Sequence, residues 1–326
     1  MIIVCDKCKT KYDVNDSLIQ KPEIRARCSY CNHGFTVLNP KFYGNTQAAS
    51  VQLASTRVPS APVHIEGTRK RAAESSSKVI TVCNQKGGVA KTTTCLNLGT
   101  SLAMMGKQVL LIDFDVQANL SSLLKSDHCD SFYDFIQSGE SDLSSYIVKT
   151  GHDFWLLPAN SRLSLLAKNH MREKHFEYML KDQLAAIKNF FDYIIIDTPP
   201  SGDFYTLNAL LASDIAAVPS QCEYLSMNGI SHIRNMVDVI KAKANHKIDF
   251  HVLVTMFDRS NTASRVIFNK LNHDYYGSVF STIIERDEIV QQSQILLTPT
   301  MAYDKNSRAG LQYFDLAKEI ESLRCA

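Results

Sequence analysis

Lys86-Gly87-Gly88-Val89-Ala90-Lys91-Thr92-Thr93 follows a short apolar run, Val79 to Val82, and opens a stretch of helical period. Strand, glycine-rich turn and helix, in that order, is the context a phosphate-cradling loop needs. Gly87 and Gly88 let the backbone reach positive φ and approach an anion closely, so successive amide N–H groups can point inward at the head of a helix. The segment from Gly87 through Gly88, Val89, Ala90, Lys91, Thr92 and Thr93 is the expected cradle. Lys91 supplies a point charge for β- and γ-phosphates, and the Thr92 hydroxyl stands where such loops ligate Mg²⁺. The usual spacing asks for glycine at 85 and 90, where this chain has Gln85 and Ala90. It also adds a second lysine, Lys86, ahead of the paired glycines.

Two further runs carry carboxylates. Val109 to Asp115 and Tyr193 to Asp197 each read as a buried parallel strand ending in an acid, and in open α/β sheets ligands sit at those carboxyl ends. Asp113 is expected to orient neighbouring backbone, as strand-end aspartates commonly do. Asp115 and Asp197 stand at or just beyond those strand ends.

Taken together, the Lys-Gly-Gly loop, Asp113-Phe114-Asp115-Val116-Gln117-Ala118-Asn119 and Ile196-Asp197-Thr198-Pro199-Pro200-Ser201 resemble the ParA/Soj/MinD ATPases, whose Walker A motif is deviant. Asn208-Ala209-Leu210 and Gln221-Cys222-Glu223-Tyr224 resemble the ParA/Soj branch. The resemblance covers about residues 78–326. It implies a homodimer that sandwiches two ATP molecules, with Lys86 reaching the partner's phosphates. It further implies that Lys91 and Thr92 bind phosphate and Mg²⁺, that Asp115 positions the attacking water, that Asp197 supports the metal indirectly and that Asn208 belongs to the nucleotide site. The physical chemistry agrees, because phosphoryl transfer is mostly positioning and charge stabilisation, and a lysine in trans can act as an arginine finger does. Val116 and Ala118 depart from the Pro and Gly usual around the glutamine.

At the N-terminus, Cys5-Asp6-Lys7-Cys8 and Cys28-Ser29-Tyr30-Cys31 form two Cys-x-x-Cys knuckles. That spacing reads as a tetrahedral four-thiolate Zn²⁺ site, with disulfides, a redox pair and an iron–sulfur centre as the competing readings. About 38 residues bury too little apolar surface to fold without such help. The segment resembles the small bacterial zinc ribbons, MJ-type zinc-finger domains, over residues 1–38. Four closed ligands leave no open coordination position, so this metal is expected to be structural. No segment reads as a signal peptide, and a cytoplasmic, nucleoid-associated protein is expected.

Residues 39–77 are rich in Asn, Thr, Ser, Gln and Ala, with Pro40, Pro59 and Pro62, and read as a flexible basic linker. Charge is uneven along the chain. Residues 1–38 hold six Lys/Arg against four Asp/Glu and residues 39–78 hold six against two, so a net of +2 leaves the remainder at −4. Arg69-Lys70-Arg71 and Lys78 are a candidate contact for phosphate backbone. The family resemblance points instead to basic residues late in the fold, of which Arg259, Arg265, Lys270, Arg286, Lys305 and Arg308 are available, and to non-specific DNA binding in the ATP state with a ParB-like protein stimulating hydrolysis. A positioning ATPase that reads a protein partner through the zinc ribbon is the alternative. A membrane-recruited switch is disfavoured. The apolar stripe Leu311, Phe314, Ala317, Ile320, Leu323 carries more acids than bases on its other positions and is expected to dock on the core.

The expected architecture is α/β: a doubly wound, mostly parallel sheet of P-loop NTPase type over residues 78–326, preceded by the zinc ribbon. Strands are expected at 108–113, 193–197, 214–218, 250–256 and 279–283, with helices near 91–105, 228–243, 261–273 and 309–323.

Overall fold

A computed structural model describes residues 2–4, 11–13, 23–27, 33–38, 77–224, 226–244 and 246–324. The N-terminal unit and the body are two separate units. In the first, strands β1 (Ile2–Val4) and β2 (Lys11–Asp13) pair antiparallel, as do β3 (Glu23–Arg27) and β4 (Gly34–Leu38). Cys5 and Cys28 directly follow β1 and β3 in the chain; all four knuckle cysteines lie outside the described residues, as does the expected linker up to residue 76. Ser77, expected in that linker, already belongs to the body: it is buried and its hydroxyl donates to Phe191 O at 2.6 Å.

The body holds one eight-stranded sheet. Its strands are β5 (Lys78–Val82), β6 (Val109–Asp113), β7 (Val148–Lys149), β8 (Trp155–Leu157), β9 (Tyr193–Asp197), β10 (Ile215–Ser220), β11 (Asp249–Phe257) and β12 (Val279–Glu285). They lie in the order β12-β11-β10-β5-β9-β6-β8-β7, all parallel except the edge strand β7. The helices are α1 (Lys91–Met104), α2 (Asn119–Leu123), α3 (Phe132–Ser138), α4 (Ser164–His170), α5 (Met179–Ile187), α6 (Phe204–Ala212), α7 (Ser226–Ala244), α8 (Thr262–Asp274), α9 (Glu288–Ile295), α10 (Thr300–Tyr303) and α11 (Arg308–Arg324).

The central strands β5, β6 and β9 are continuous apolar runs because both of their faces are covered. Leu111, Ile195 and Ile80 turn toward α1 and α11, whereas Leu110, Ile112, Ile194 and Ile196 turn toward the α3–α6 side. On the other half of that second face, Ile230, Ile233, Val237 and Ile240 of α7 cover Val218, Val252 and Val254. The stripe by which α11 docks differs from the expected one: Tyr313, Leu316, Ala317 and Ile320 are buried, while Leu311 is exposed. Helix α11 packs against both α1 and β12, and the residues between those two neighbours fix its rotation.

β5 lies between β9 and β10, and the chain crosses from β5 over α1 to β6, beyond β9. The carboxyl ends of β5, β6, β9 and β10 therefore converge on the head of α1, the kind of crevice in which open α/β sheets hold ligands.

Candidate nucleotide site

The loop after β5 is held open from several sides. Asn84 donates from Nδ2 to Pro219 O at 2.9 Å and accepts the Lys86 amide on Oδ1 at 3.0 Å. Gln221 Nε2 donates to Gly88 O (2.8 Å), and Thr255 Oγ1 donates to Val89 O (3.1 Å). Gly88 has φ +73°, and Ala90, at the N-cap of α1, is also left-handed at φ 67°, ψ 33°. No side chain caps α1 and no acid lies in its first turn. Its leading amides, which no helix can pair internally, thus face the crevice with their positive dipole end.

Lys91 is nearly buried, and its Nζ donates to Lys86 O at 3.1 Å. Burial pulls its pKa down, opposed by the charges of Asp197 and Asp115. Asp115 is buried, accepts the Gln117 amide at 2.9 Å, and is pushed up in pKa by that burial. Asp113 accepts the amide and the hydroxyl of Ser121 (2.8 and 2.7 Å) and the Asp115 amide (3.2 Å). Burial pushes its pKa up to about 6. Asp113 is thus fully engaged in fixing the turn into α2, as expected. Asp197 is wholly buried beside it in register, and neither of its oxygens has a close hydrogen bond. Burial, then the Asp113 charge, raises its pKa well above the usual range, with the Thr92 hydroxyl opposing. Burial disfavours the charged form of all three carboxylates, and a cation beside Thr92 would favour it.

Lys91 and Asp115 border a cavity of about 990 Å³, together with Gly87, Gly88, Ala90, Thr92 and Thr93; Asp113 and Asp197 do not line it. Met256, Ile267, Ile284, Arg286 and Val290, from the ends of β11 and β12 and from α8 and α9, also line it. Among the expected site residues, Val89 is buried with its carbonyl spent on Thr255. Asn208 does not border the cavity: it is inside α6, with Oδ1 accepting Leu180 N (3.2 Å) and Nδ2 donating to Phe204 O (3.0 Å). Its role here is to join α5 to α6. Lys86 does not itself line the cavity; its Nζ lies 2.5 Å from Glu223 Oε2, which does, and 2.8 Å from Ser226 Oγ. Of the basic residues considered for DNA, Arg259 and Arg308 share the buried carboxylate of Glu285, at 2.7 and 3.2 Å, and Lys270 pairs with Asp274.

The braces Thr255, Gln221 and Gln294, the last donating to Thr93 Oγ1 at 2.9 Å, were not assigned to the loop by sequence. Thr255 alone left a local signal, a polar residue closing the apolar run Val252 to Val254.

A mostly parallel sheet with this loop, an uncapped helix head and strand-end carboxylates defines a P-loop nucleoside triphosphatase. A family model for an AAA domain matches residues 77–250, and one for a zinc-ribbon domain matches residues 1–36. The sporulation initiation inhibitor protein Soj of Bacillus subtilis is 36% identical over 247 residues, 74% of this chain and 98% of that protein. The chromosome partitioning protein ParA of Caulobacter vibrioides is 33% identical over 254 residues, 75% of this chain and 94% of that protein. Among solved structures, cobyrinic acid a,c-diamide synthase from Mycobacterium smegmatis, with bound ADP and magnesium, superposes with a TM-score of 0.64 at 30% identity, covering 74% of this chain and 93% of that one. The chain belongs to the ParA/Soj family of ATPases and carries a zinc-ribbon family segment at its N-terminus. Among the described residues, no helix is long and apolar enough to cross a membrane.

Proposed function

We propose that the protein is a nucleotide-switched partitioning ATPase of the nucleoid, which dimerises on ATP, binds DNA non-specifically in that state and is returned to the monomer by partner-stimulated hydrolysis. The observation that carries the reading is the convergence of Lys91, Thr92 and Asp115 on one cavity at the head of an uncapped helix, with the buried Asp197 carboxylate behind Thr92 and Lys91. In this account the amides of residues 87–93 and the Lys91 ammonium hold the β- and γ-phosphates. Asp115, at the cavity wall and raised in pKa, orients the attacking water and accepts its proton. Thr92 and, indirectly, Asp197 are the groups suited to Mg²⁺, which when bound neutralises phosphate charge. Lys86, brought from a second subunit, stabilises the charge that develops on the transferred phosphoryl group.

The N-terminal cysteines Cys5, Cys8, Cys28 and Cys31 suit Zn²⁺ by donor type and spacing, and the metal serves there to hold the ribbon together. The partners are DNA, a second copy of the chain and a ParB-like stimulating protein in the cytoplasm.

Lys86→Ala is expected to retain ATP binding, followed with a fluorescent analogue, while turnover falls by about 10³-fold, the lower end for an arginine-finger loss. Lys91→Ala is expected to lose the binding itself. Full turnover by Lys86→Ala would reject the role assigned to that lysine.

A further inference from the structure

The residues around Lys86 form a clasp that the phosphate-binding account does not use. The segment from Gln221 through the first turns of α7 grips the loop 84–88 at four points. Gln221 holds Gly88 O. Glu223 and Ser226 hold the Lys86 ammonium, at 2.5 and 2.8 Å. Gly229 lies so close to the Asn84 side chain that a Cβ there would overlap Asn84 Oδ1. His232, one turn further on, donates from its ring to Gln85 Oε1 at 2.5 Å. Gln85 is pressed in turn against Gly202, in the loop that leaves Asp197.

Within this clasp the two acceptors of Lys86 are unlike. Ser226 is completely buried at the first position of α7, whereas the Glu223 side chain is 59% exposed. Glu223 is not needed for folding by any other side-chain contact described, and its amide is fixed by Gln221 O at 2.8 Å in the turn before α7. With two of its three N–H donors spent on these oxygens within its own subunit, the Lys86 ammonium has only one left for phosphate oxygens of a second subunit.

We propose that Glu223 and Ser226 form an autoinhibitory latch, which parks the Lys86 ammonium in cis and must be released before the lysine can serve another copy of the chain. This rests on the trans role given to Lys86 above. The latch sets how readily nucleotide-bound subunits associate. An exposed ion pair of this kind is worth roughly a factor of two to five in an equilibrium. Two latches open per dimer, so the factors multiply to about tenfold.

Two readouts test it. In nucleotide-free protein, the acetylation rate of Lys86 relative to the solvent-facing Lys247 is followed by mass spectrometry for the native chain, Glu223→Gln and Ser226→Ala. In protein carrying Asp115→Ala to hold ATP, the dimer dissociation constant is measured by sedimentation with and without Glu223→Gln. The latch is expected to give several-fold faster labelling of Lys86 and an about tenfold tighter dimer once Glu223 is neutralised, with Ser226→Ala acting in the same direction. Unchanged labelling would show that no latch exists. Faster labelling with an unchanged or weakened dimer would overturn the autoinhibitory role, a weaker dimer meaning that Glu223 aims the lysine outward. A trapped protein that stays monomeric with ATP whether or not Glu223 is present contradicts the dimeric function itself, while the labelling still reports on the latch.

Discussion

Ala90 and Ala118 stand left-handed, at φ 67° and 51°, at the N-caps of α1 and α2. A Cβ in that region costs about 1–2 kcal/mol. Loops of this kind usually carry glycine where Ala90 stands, so the backbone geometry has been kept while its easiest residue has been given up. Ala90→Gly should therefore stabilise the nucleotide-free protein by about 0.5–1 kcal/mol, once the greater freedom of glycine in the unfolded chain is subtracted. For a body of this size that is a rise of about 1–4 °C in thermal midpoint, read by differential scanning fluorimetry. A midpoint that falls would show that the Ala90 methyl group contributes packing that outweighs the strain. The residue scale is also where the sequence spoke most clearly for some positions and not at all for others. Lys91, Thr92, Asp115 and Asp197 announce themselves by spacing, since loop and strand ends are local patterns. Asn208 does not, because whether an asparagine faces a ligand or joins two helices depends on α5, which is not its neighbour in sequence.

Among the elements, the strands with two covered faces were legible as apolar runs, and β6, β9, β10, β11 and β12 fall where expected to within two residues at either end. The edge pieces β7 and β8, two and three residues long, were not, because so short a strand has no period to read. Helix α11 docks on the core as expected through Ala317, Ile320 and Leu323, but Tyr313 and Leu316 stand in the contact where Leu311 is expected: its helical period allows two adjacent stripes, and only contact with α1 and β12 chooses between them. Helix α1 illustrates how closely such contacts are set. Gly99 faces Leu111 of β6, and a Cβ placed there would lie 2.6 Å from Leu111 Cδ2. Gly99→Val should force helix and strand apart and cost about 1–3 kcal/mol, the range for overpacking a core. An unaltered thermal midpoint would contradict that close approach.

At the scale of the whole molecule, charge and chemistry are divided. The chain from residue 79 onward carries the carboxylates of the candidate site and a net charge of −4, while residues 1–78 carry +6. Arg259 and Arg308, two of the six cations offered late in the fold, are partly neutralised by Glu285, which reduces what that face can give to a phosphate backbone. The DNA binding proposed for this chain would accordingly draw on whichever cations two subunits bring together, and is expected to weaken steeply with salt because bound counterions are released. The deciding measurement is fluorescence anisotropy of labelled duplex DNA with the Asp115→Ala protein, at two salt concentrations, without nucleotide, with ADP and with ATP and Mg²⁺. Tight, salt-sensitive binding with ATP alone is the expected result. Binding that ignores the nucleotide, or no binding in any state, would contradict the account of a nucleotide-switched DNA carrier and favour an ATPase that reads a protein partner.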